Sequence, residues 1–393
     1  MTSAAVNQLD SFVEEGAFMA TWSFKQEDLD ALLVGMTTYG TGGGGNPDTG
    51  RALLEAGFRS GRNFQMIDPE DVPDDAFICS GGIMGSVRHM KDENDDENND
   101  AESSARMLVK AIRTMEEVKG RKVDYLIPFE VGGSNTPVIM SAAAMMGIPT
   151  IDGDGVGRAA PETQMTIWIG KGISLTPMPV VAQDGNRVVV LDGNEPTYAD
   201  EIGRVVVVKG GGTAANAHYA MSGRQMKACS CLHILSRALE LGRIQTEGLR
   251  LGENRIGQVR EFLGGSTLLQ GRVRSEKGVD EGGFYLTELE VDGTGSWSGH
   301  AAKLVLKNET MLIWVDGKLR CVFPDYIFML DPATGESIQT ADIRAGMEIE
   351  FVGAPCDPRL SESLKTEVGK KAFSCGRYGH PELKYIPFAQ LNQ

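Results

Sequence analysis

Acidic residues follow two short apolar runs in the first half of the chain. Glu130 comes directly after residues 125–129, and Asp152 and Asp154 come after residues 148–151. Carboxylates at the ends of buried strands can act as general base or general acid when burial or a like-charged neighbour raises one pKa. Four acidic residues are therefore candidates for catalysis: Glu130, Asp152, Asp154 and Glu162. For Glu130 and Asp152, capping of a turn or of a helix start is the alternative role.

The segment between the two apolar runs predicts a helix. Residues 135–147 are rich in Ala and Met, with Asn135 suited as the N-cap and Gly147 as the stop. A strand–helix–strand unit implies parallel strands, so both strands end at one edge of a sheet, where open α/β sheets bind ligands. The sequence places the site at this edge. The turn adds four candidate binding residues: Gly132, Gly133, Ser134 and Asn135.

Residues 40–48 form the most glycine-dense segment of the chain, and a helix is predicted from about residue 51 to 58, capped by Asp48 or Thr49. A helix start behind a glycine run presents free backbone N–H groups, which suit an anionic or carbonyl ligand. The alternative is a flexible connection between two helices. The Lys-Ser/Thr ending of a Walker A loop is missing. The binding prediction covers Gly43, Gly44, Gly45 and Asn46.

Length and charge limit the class of protein. The chain has 393 residues, which predicts two domains, and a formal net charge of −16. That charge argues against non-specific binding to nucleic acid or to a membrane surface, since both need a basic face. No apolar run approaches the roughly 20 residues that span a bilayer. The N-terminus lacks the pattern of a secretory signal. Six scattered cysteines form no disulfide framework. We expect a reduced, cytoplasmic protein, and a homo-oligomer.

The strand–helix alternation stops near Gly170. The predicted fold is an α/β domain with a parallel sheet over residues 1–170, followed by a mainly β domain, a sandwich or barrel with one or two helices, over residues 171–393. Residues 204–209 are interpreted as one of the later strands, and Lys209 at its end is a candidate substrate-binding residue. The acidic run at residues 91–99 predicts a solvated loop without the spacing of an EF-hand.

Weaker candidates carry thiol or imidazole groups. Cys79 stands at a predicted strand end, although buried thiols are usually inert. Cys229, Cys231 and His233 form a CxCxH cluster, whose spacing on a predicted helix would not put all three on one face. His218 is interpreted as a histidine in a loop.

Several glycine-rich and acidic segments together resemble a known family. The first half contains Gly-Thr-Gly-Gly-Gly-Gly-Asn-Pro at 40–47, Gly-Gly-Ile-Met-Gly at 81–85, Glu-Val-Gly-Gly-Ser-Asn at 130–135 and Asp-Gly-Asp-Gly-Val-Gly-Arg-Ala-Ala-Pro-Glu at 152–162. The second half contains Glu-Gly-Gly-Phe at 281–284, Lys-Asn-Glu-Thr at 307–310, Val-Phe-Pro-Asp-Tyr-Ile at 322–327 and Val-Gly-Ala-Pro at 352–355. In this order they resemble the DUF917 family, also called the S-methyl thiohydantoin desulfurase family. The acidic run at 91–99 is not part of the family pattern.

The resemblance implies a hydrolase that replaces sulfur by oxygen at C2 of a thiohydantoin-type ring by means of activated water. It also implies a link with hydantoinase and oxoprolinase-type systems. A non-catalytic or regulatory partner of a hydantoinase-like enzyme is the alternative. In this frame Asn135 would bind the ring amide, and Arg158 would anchor a substrate carboxylate or pair with one of the acids. No cofactor is required by the sequence, and a divalent metal stays open. The missing His-x-His argues against a dinuclear zinc centre.

Overall fold

The computed structural model describes residues 21–85, 100–251 and 255–393. The acidic run at 91–99 lies outside the described residues, as does the N-terminal segment before residue 21. No helix in the described ranges is long and apolar enough to cross a membrane.

Seventeen strands and twelve α-helices occupy the described residues. The strands are β1 Thr21–Phe24, β2 Phe64–Ile67, β3 Phe77–Gly85, β4 Tyr125–Pro128, β5 Thr150–Ile151, β6 Gly153–Asp154, β7 Met178–Ala182, β8 Arg187–Val190, β9 Thr213–Ser222, β10 Cys231–Leu232, β11 Ser266–Glu281, β12 Phe284–Gly293, β13 Ala301–Lys307, β14 Glu309–Val315, β15 Lys318–Val322, β16 Tyr326–Leu330 and β17 Glu348–Ala354. The helices are α1 Leu29–Tyr39, α2 Pro47–Arg59, α3 Ser103–Lys119, α4 Asn135–Met146, α5 Ile167–Gly170, α6 Tyr198–Lys209, α7 Gly223–Cys229, α8 Ile234–Leu251, α9 Arg255–Leu263, α10 Pro358–Ser363, α11 Glu367–Ala372 and α12 Phe388–Leu391.

The first sheet has eight strands in the order β1-β2-β5-β4-β3-β9-β7-β8. The four strands β2, β5, β4 and β3 are parallel, as the strand–helix–strand pattern predicts. The other strands of this sheet pair antiparallel. The buried helix α4 connects β4 to β5, and its left-handed stop at Gly147 is confirmed at φ 71°.

The second large sheet lies in the C-terminal part and has seven antiparallel strands in the order β15-β14-β13-β12-β11-β17-β16. The predicted fold class, an α/β part with parallel strands followed by a mainly β part, is therefore confirmed. The eight-stranded sheet also takes β7, β8 and β9 from beyond residue 170. The predicted domain division at that residue stays a prediction.

Four local predictions are wrong. The N-cap of helix α4 is Ser134, not Asn135. Residues 204–209 belong to helix α6, not to a strand, because Gly203, Arg204 and Val207 bury one face of that helix. Helix α2 is capped by Asn46, whose side chain accepts from the N–H of Asp48, not by Asp48 or Thr49. His218 lies within strand β9, not in a loop.

Candidate functional site

Glu130 follows the buried strand β4 and is itself 2% exposed. The side-chain amide of Asn135 donates to Oε1 of Glu130 over 2.7 Å. The backbone N–H of Ala160 donates to Oε2. Asn135 also accepts from the N–H of Ile83 over 3.2 Å, which links Glu130 to the neighbouring strand β3. Asn135 is the first residue of helix α4 and not the expected N-cap. Its side chain orients the carboxyl group of Glu130.

The glycine loop after helix α1 packs directly against the turn after Glu130. The carbonyl of Gly44 accepts from the N–H groups of Ser134 and Asn135, at 3.0 and 3.2 Å. A Cβ on Gly44 would lie 2.6 Å from the Cα of Gly132, and Gly44 has a φ of +73°. Glycine is thus required here both for close approach of two backbones and for a left-handed conformation. The glycine loop therefore forms part of the candidate site and is not a flexible connection between two helices.

Glu309 enters the same region from the C-terminal sheet. It is the first residue of β14, just after a turn at Asn308 that has φ +58°. The N–H of Gly44 donates to Oε1 of Glu309 over 3.2 Å. Oε2 has no hydrogen-bond partner among the described residues, although Glu309 is only 2% exposed. A Cβ on Gly43 would lie 1.9 Å from Oε1, so this glycine leaves room for the carboxyl group.

Burial shifts the proton affinity of both carboxyl groups. Desolvation raises the pKa of Glu130 to about 7, against the opposing effect of the N–H groups of Ala160 and Asn135. Desolvation also raises the pKa of Glu309 well above its usual range, and the charge of Glu130 adds to this. Both groups therefore hold their protons to a higher pH than exposed carboxyl groups do.

Glu130 and Glu309 line one polar cavity of about 40 Å³. A cavity needs at least about 10–15 Å³ to hold one water molecule, so this one can hold water. The predicted residues in its wall are Gly44, Gly45, Glu130 and Asn135. The wall also contains residues that sequence reasoning did not assign to the site, among them Phe129, Arg204, Asn216, Asn308 and Glu309. Glu309 belongs to the Lys-Asn-Glu-Thr segment at 307–310, one of the segments that resemble the family. That resemblance was the sequence signal that could have identified it.

Asp152 lies at the same sheet edge but serves another element. Its Oδ1 accepts from the N–H groups of Leu235 and Ser236, at 2.9 and 3.2 Å, and its Oδ2 accepts from the hydroxyl of Ser236. Asp152 thus caps helix α8 and does not line the cavity. Its catalytic role stays a prediction, with helix capping the role that its contacts support.

A group that could hold a metal ion lies beside Asp152. Ligand atoms of Asp68, Glu70 and His233 are within 4.8 Å of one another. The Nε2 atom of His233 is 3.2 Å from Oε2 of Glu70, and its Nδ1 atom is 3.9 Å from Oδ2 of Asp152. In the described part of the chain, the two cysteines of the CxCxH pattern do not join this group. The nearby carboxylate of Asp152 and the charges of Glu70 and Asp68 raise the pKa of His233 to about 8.

Asp154 and Glu162 lie apart from the cavity and differ in charge environment. Oδ1 of Asp154 accepts from the N–H groups of Val156 and Gly157, at 3.1 and 2.7 Å, while burial raises its pKa well above the usual range. Glu162 is 0% exposed and pairs with Lys307 and Arg377. These cations hold the pKa of Glu162 low despite its burial. Their catalytic roles stay predictions.

The two predicted cationic residues also lie outside the cavity wall. Arg158 is fully buried and donates to the carbonyls of Asp325 and Thr310, at 2.7 and 3.0 Å, and to the hydroxyl of Thr41 at 2.6 Å. Its hydrogen bonds therefore join the glycine loop to two segments of the C-terminal half of the chain. Lys209 is exposed at the end of helix α6. Cys79 is fully buried, and burial raises the pKa of its thiol to about 12, which disfavours a thiolate.

Two family models match the chain. The model described as "S-Me-THD-like, N-terminal domain" matches residues 27–192, and the one described as "S-Me-THD-like, C-terminal domain" matches residues 194–388. No curated protein matches the chain at a significant level. The crystal structure of a protein from Chromobacterium violaceum is similar, with a TM-score of 0.74 and 20% identity over 93% of this chain and 100% of that chain. At this identity the likeness concerns the fold.

Proposed function

This chain belongs to the S-Me-THD-like family, and from that premise we propose that it is a hydrolase that replaces sulfur by oxygen at C2 of a thiohydantoin-like five-membered ring. The observation that supports this most is the pair of buried carboxyl groups, Glu130 and Glu309, in one cavity. Carboxyl groups whose environments separate their pKa values can divide the roles of base and acid. Water attack on a ring carbon needs both.

Glu130 is the proposed general base. With a pKa of about 7, it exchanges its proton near neutral pH. Each of its oxygens accepts one N–H group, from Asn135 or Ala160, and each retains a second lone pair for a water molecule. The two N–H groups fix the direction of the carboxylate, so that the attacking water can be oriented within the cavity.

Glu309 is the proposed general acid. Burial raises its pKa well above the usual range of a carboxyl group, which favours the protonated form, and its Oε2 has no partner in the described structure that would compete for the proton. With an S-methyl thiohydantoin, the C2–S bond breaks and a C2–O bond forms. The two protons of the water end on the ring nitrogen and on methanethiol, by way of Glu130 and Glu309.

The oxygen that develops negative charge at C2 needs a hydrogen-bond donor. We assign this role to the side-chain amide of Asn216, which lines the cavity. Its Nδ2 atom is 4.0 Å from the sulfur of Met178, a weak acceptor, so its donor capacity is available to a ligand.

The test is the release of methanethiol from S-methyl thiohydantoin, and of sulfide from the unmethylated ring, by the purified protein, together with the change in ring absorbance. Glu130→Gln and Glu309→Gln should abolish release. The exposed Glu288 offers a matched control, and Glu288→Gln should leave the rate unchanged. Ring binding without any release would instead favour the alternative role, that of a non-catalytic partner of a hydantoinase-like enzyme.

A further inference from the structure

Three polar atoms are buried without a partner behind the wall of the candidate site. Both ring nitrogens of His218 and the Oγ atom of Ser80 make no hydrogen bond to any residue that the structure describes. Both side chains are 0% exposed. Buried polar groups are normally paired, because an unpaired one loses its hydration without compensation. Three such atoms in two facing side chains therefore point to a partner that is not part of the described chain.

Strand register places these two side chains next to the cavity. In the antiparallel pair of β3 and β9, Ser80 is opposite His218, and Gly82 is opposite Asn216. Opposite residues share one face of a sheet, and so do residues two positions apart along a strand. Gly82 and Asn216 line the cavity. Ser80 and His218 thus lie on the same face, one step further along the strands.

An aromatic contact gives independent support for this position. The ring centroids of Phe129 and His218 are 5.4 Å apart, and Phe129 lines the cavity. The ring of Tyr219 lies on His218 from another side, at 5.1 Å. The hydroxyl of Tyr219 donates to the carbonyl of Thr163, so it does not serve His218. Both contacts are T-shaped, with interplanar angles of 75° and 79°, so the imidazole packs between two aromatic rings while its nitrogens have no hydrogen-bond partner among the described residues.

The charge state of His218 limits what that group can be. Burial lowers the pKa of His218 to about 3, so the ring is neutral at physiological pH. A neutral imidazole offers one N–H donor and one acceptor nitrogen, and the Ser80 hydroxyl can donate or accept. An uncharged ligand that carries both a donor and an acceptor matches this set. A secondary amide in a ring presents such a pair, N–H and C=O, on adjacent atoms.

We propose that Ser80 and His218 form an inner subsite that binds the N–H and C=O edge of the ring substrate. The identity of the ring depends on the proposed function. In this arrangement His218 is a positioning residue: it fixes the ring so that C2 faces Glu130 and Glu309. Rings in which both nitrogens carry alkyl groups should be rejected, because they lack the donor.

The experiment is isothermal titration with hydantoin and with 1,3-dimethylhydantoin. The wild-type protein should bind hydantoin more tightly than the dimethyl ring. His218→Phe and Ser80→Ala should each weaken hydantoin binding at least about tenfold and remove most of the preference. The melting temperature should stay or rise, because each change removes an unpaired buried polar group. His380, a half-buried histidine that pairs with Glu382 and does not line the cavity, offers the matched control, and His380→Phe should bind both rings as the wild type does.

Equal affinity of the wild type for the two rings, or unchanged hydantoin affinity in both variants, would overturn the subsite. Absence of hydantoin binding to the wild type would overturn it as well. Should His218→Phe fail to fold, Ser80→Ala carries the comparison. The titration involves no turnover, so it is separate from the thiol-release test. A protein that discriminates the rings but releases no thiol keeps the subsite and refutes the hydrolase. A protein that releases thiol but binds the two rings equally refutes the subsite and keeps the hydrolase.

Discussion

The backbone N–H of Gly44 donates to Oε1 of Glu309 over 3.2 Å, although the two residues are 265 positions apart in the chain. The carbonyl of the same glycine accepts from the N–H of Asn135, whose side chain holds Glu130. One peptide segment of the glycine loop therefore sets the relative position of the two buried carboxyl groups. The proposed acid–base chemistry therefore depends on that loop.

Glu309→Gln should reduce kcat/KM for the ring substrate by at least about 100-fold, as expected for loss of a general acid. The amide oxygen of Gln can still accept from Gly44, so the loop should keep its position. Melting temperature and circular dichroism check that the fold is retained. A variant with wild-type kcat/KM would remove Glu309 from the chemistry.

The pH dependence of kcat/KM should follow the Glu130 and Glu309 pair. The base must be ionised, and burial raises the pKa of Glu130 to about 7. Activity should therefore rise with pH up to about 7, and at pH 5 it should be about 100-fold below its maximum. A fall at higher pH should mark the loss of the proton from Glu309, whose pKa burial also raises. A profile that is flat from pH 5 to 7 would exclude Glu130 as the base.

Gly44→Ala should destabilise the protein and impair catalysis together. The left-handed conformation costs roughly 1–2 kcal/mol for a non-glycine residue, and overpacking against Gly132 adds about 1–3 kcal/mol. Gly61 is a matched control, since it has a φ of +69° but nothing within 4 Å of a Cβ. Gly61→Ala should show only the conformational cost. Equal losses of stability in chemical denaturation would mean that the contact with Gly132 is unimportant.

Asp152→Ala should act on stability. It removes the acceptor for two backbone N–H groups and for the Ser236 hydroxyl, which should cost about 2–3 kcal/mol of unfolding free energy. The loss of a more exposed cap, as in Thr366→Ala at helix α11, should cost about 1 kcal/mol. Denaturant titration compares the two. If Asp152→Ala were fully stable yet inactive, Asp152 would belong to the catalytic group after all.

His233 should make stability depend on pH. Its folded pKa is raised from 6.5 to about 8, first by the neighbouring carboxylate of Asp152 and then by the charges of Glu70 and Asp68. The stabilisation, about 2 kcal/mol at most, is complete below pH 6.5 and is lost as pH rises through about 8. The difference in unfolding free energy between wild type and His233→Gln should shrink over this range. A constant difference would contradict the raised pKa.

Local sequence patterns were sufficient for the fold class and for part of the site. The apolar run before Glu130, the helix to Gly147 and the next strand form the predicted parallel unit. The glycine loop meets this edge because its backbone must approach Gly132 closely. Glu309 was not assigned, because its place in the site follows from long-range packing of a hairpin in the second sheet.

Long-range packing also gives different roles to acidic residues that the parallel strands are predicted to bring to one sheet edge. Asp152 ends a parallel strand as expected, but helix α8, which begins at Ile234, takes up both its carboxylate oxygens. Residues 204–209 are rich in Val and so resemble a strand. They form a helix because one face of that helix packs into the core. Intrinsic helix and strand propensities do not reflect such packing.

The contacts of Arg158 limit how this protein can be divided into separate halves. Its guanidinium joins the glycine loop to two segments of the C-terminal sheet, through Thr41, Thr310 and Asp325. An excised N-terminal half would keep Glu130 but leave this buried cation without most of its acceptors. The two halves are thus not interchangeable modules. A chimera made from two homologues would need matching acceptors for the Arg158 side chain in both halves. The whole chain is therefore the unit that would have to be exchanged.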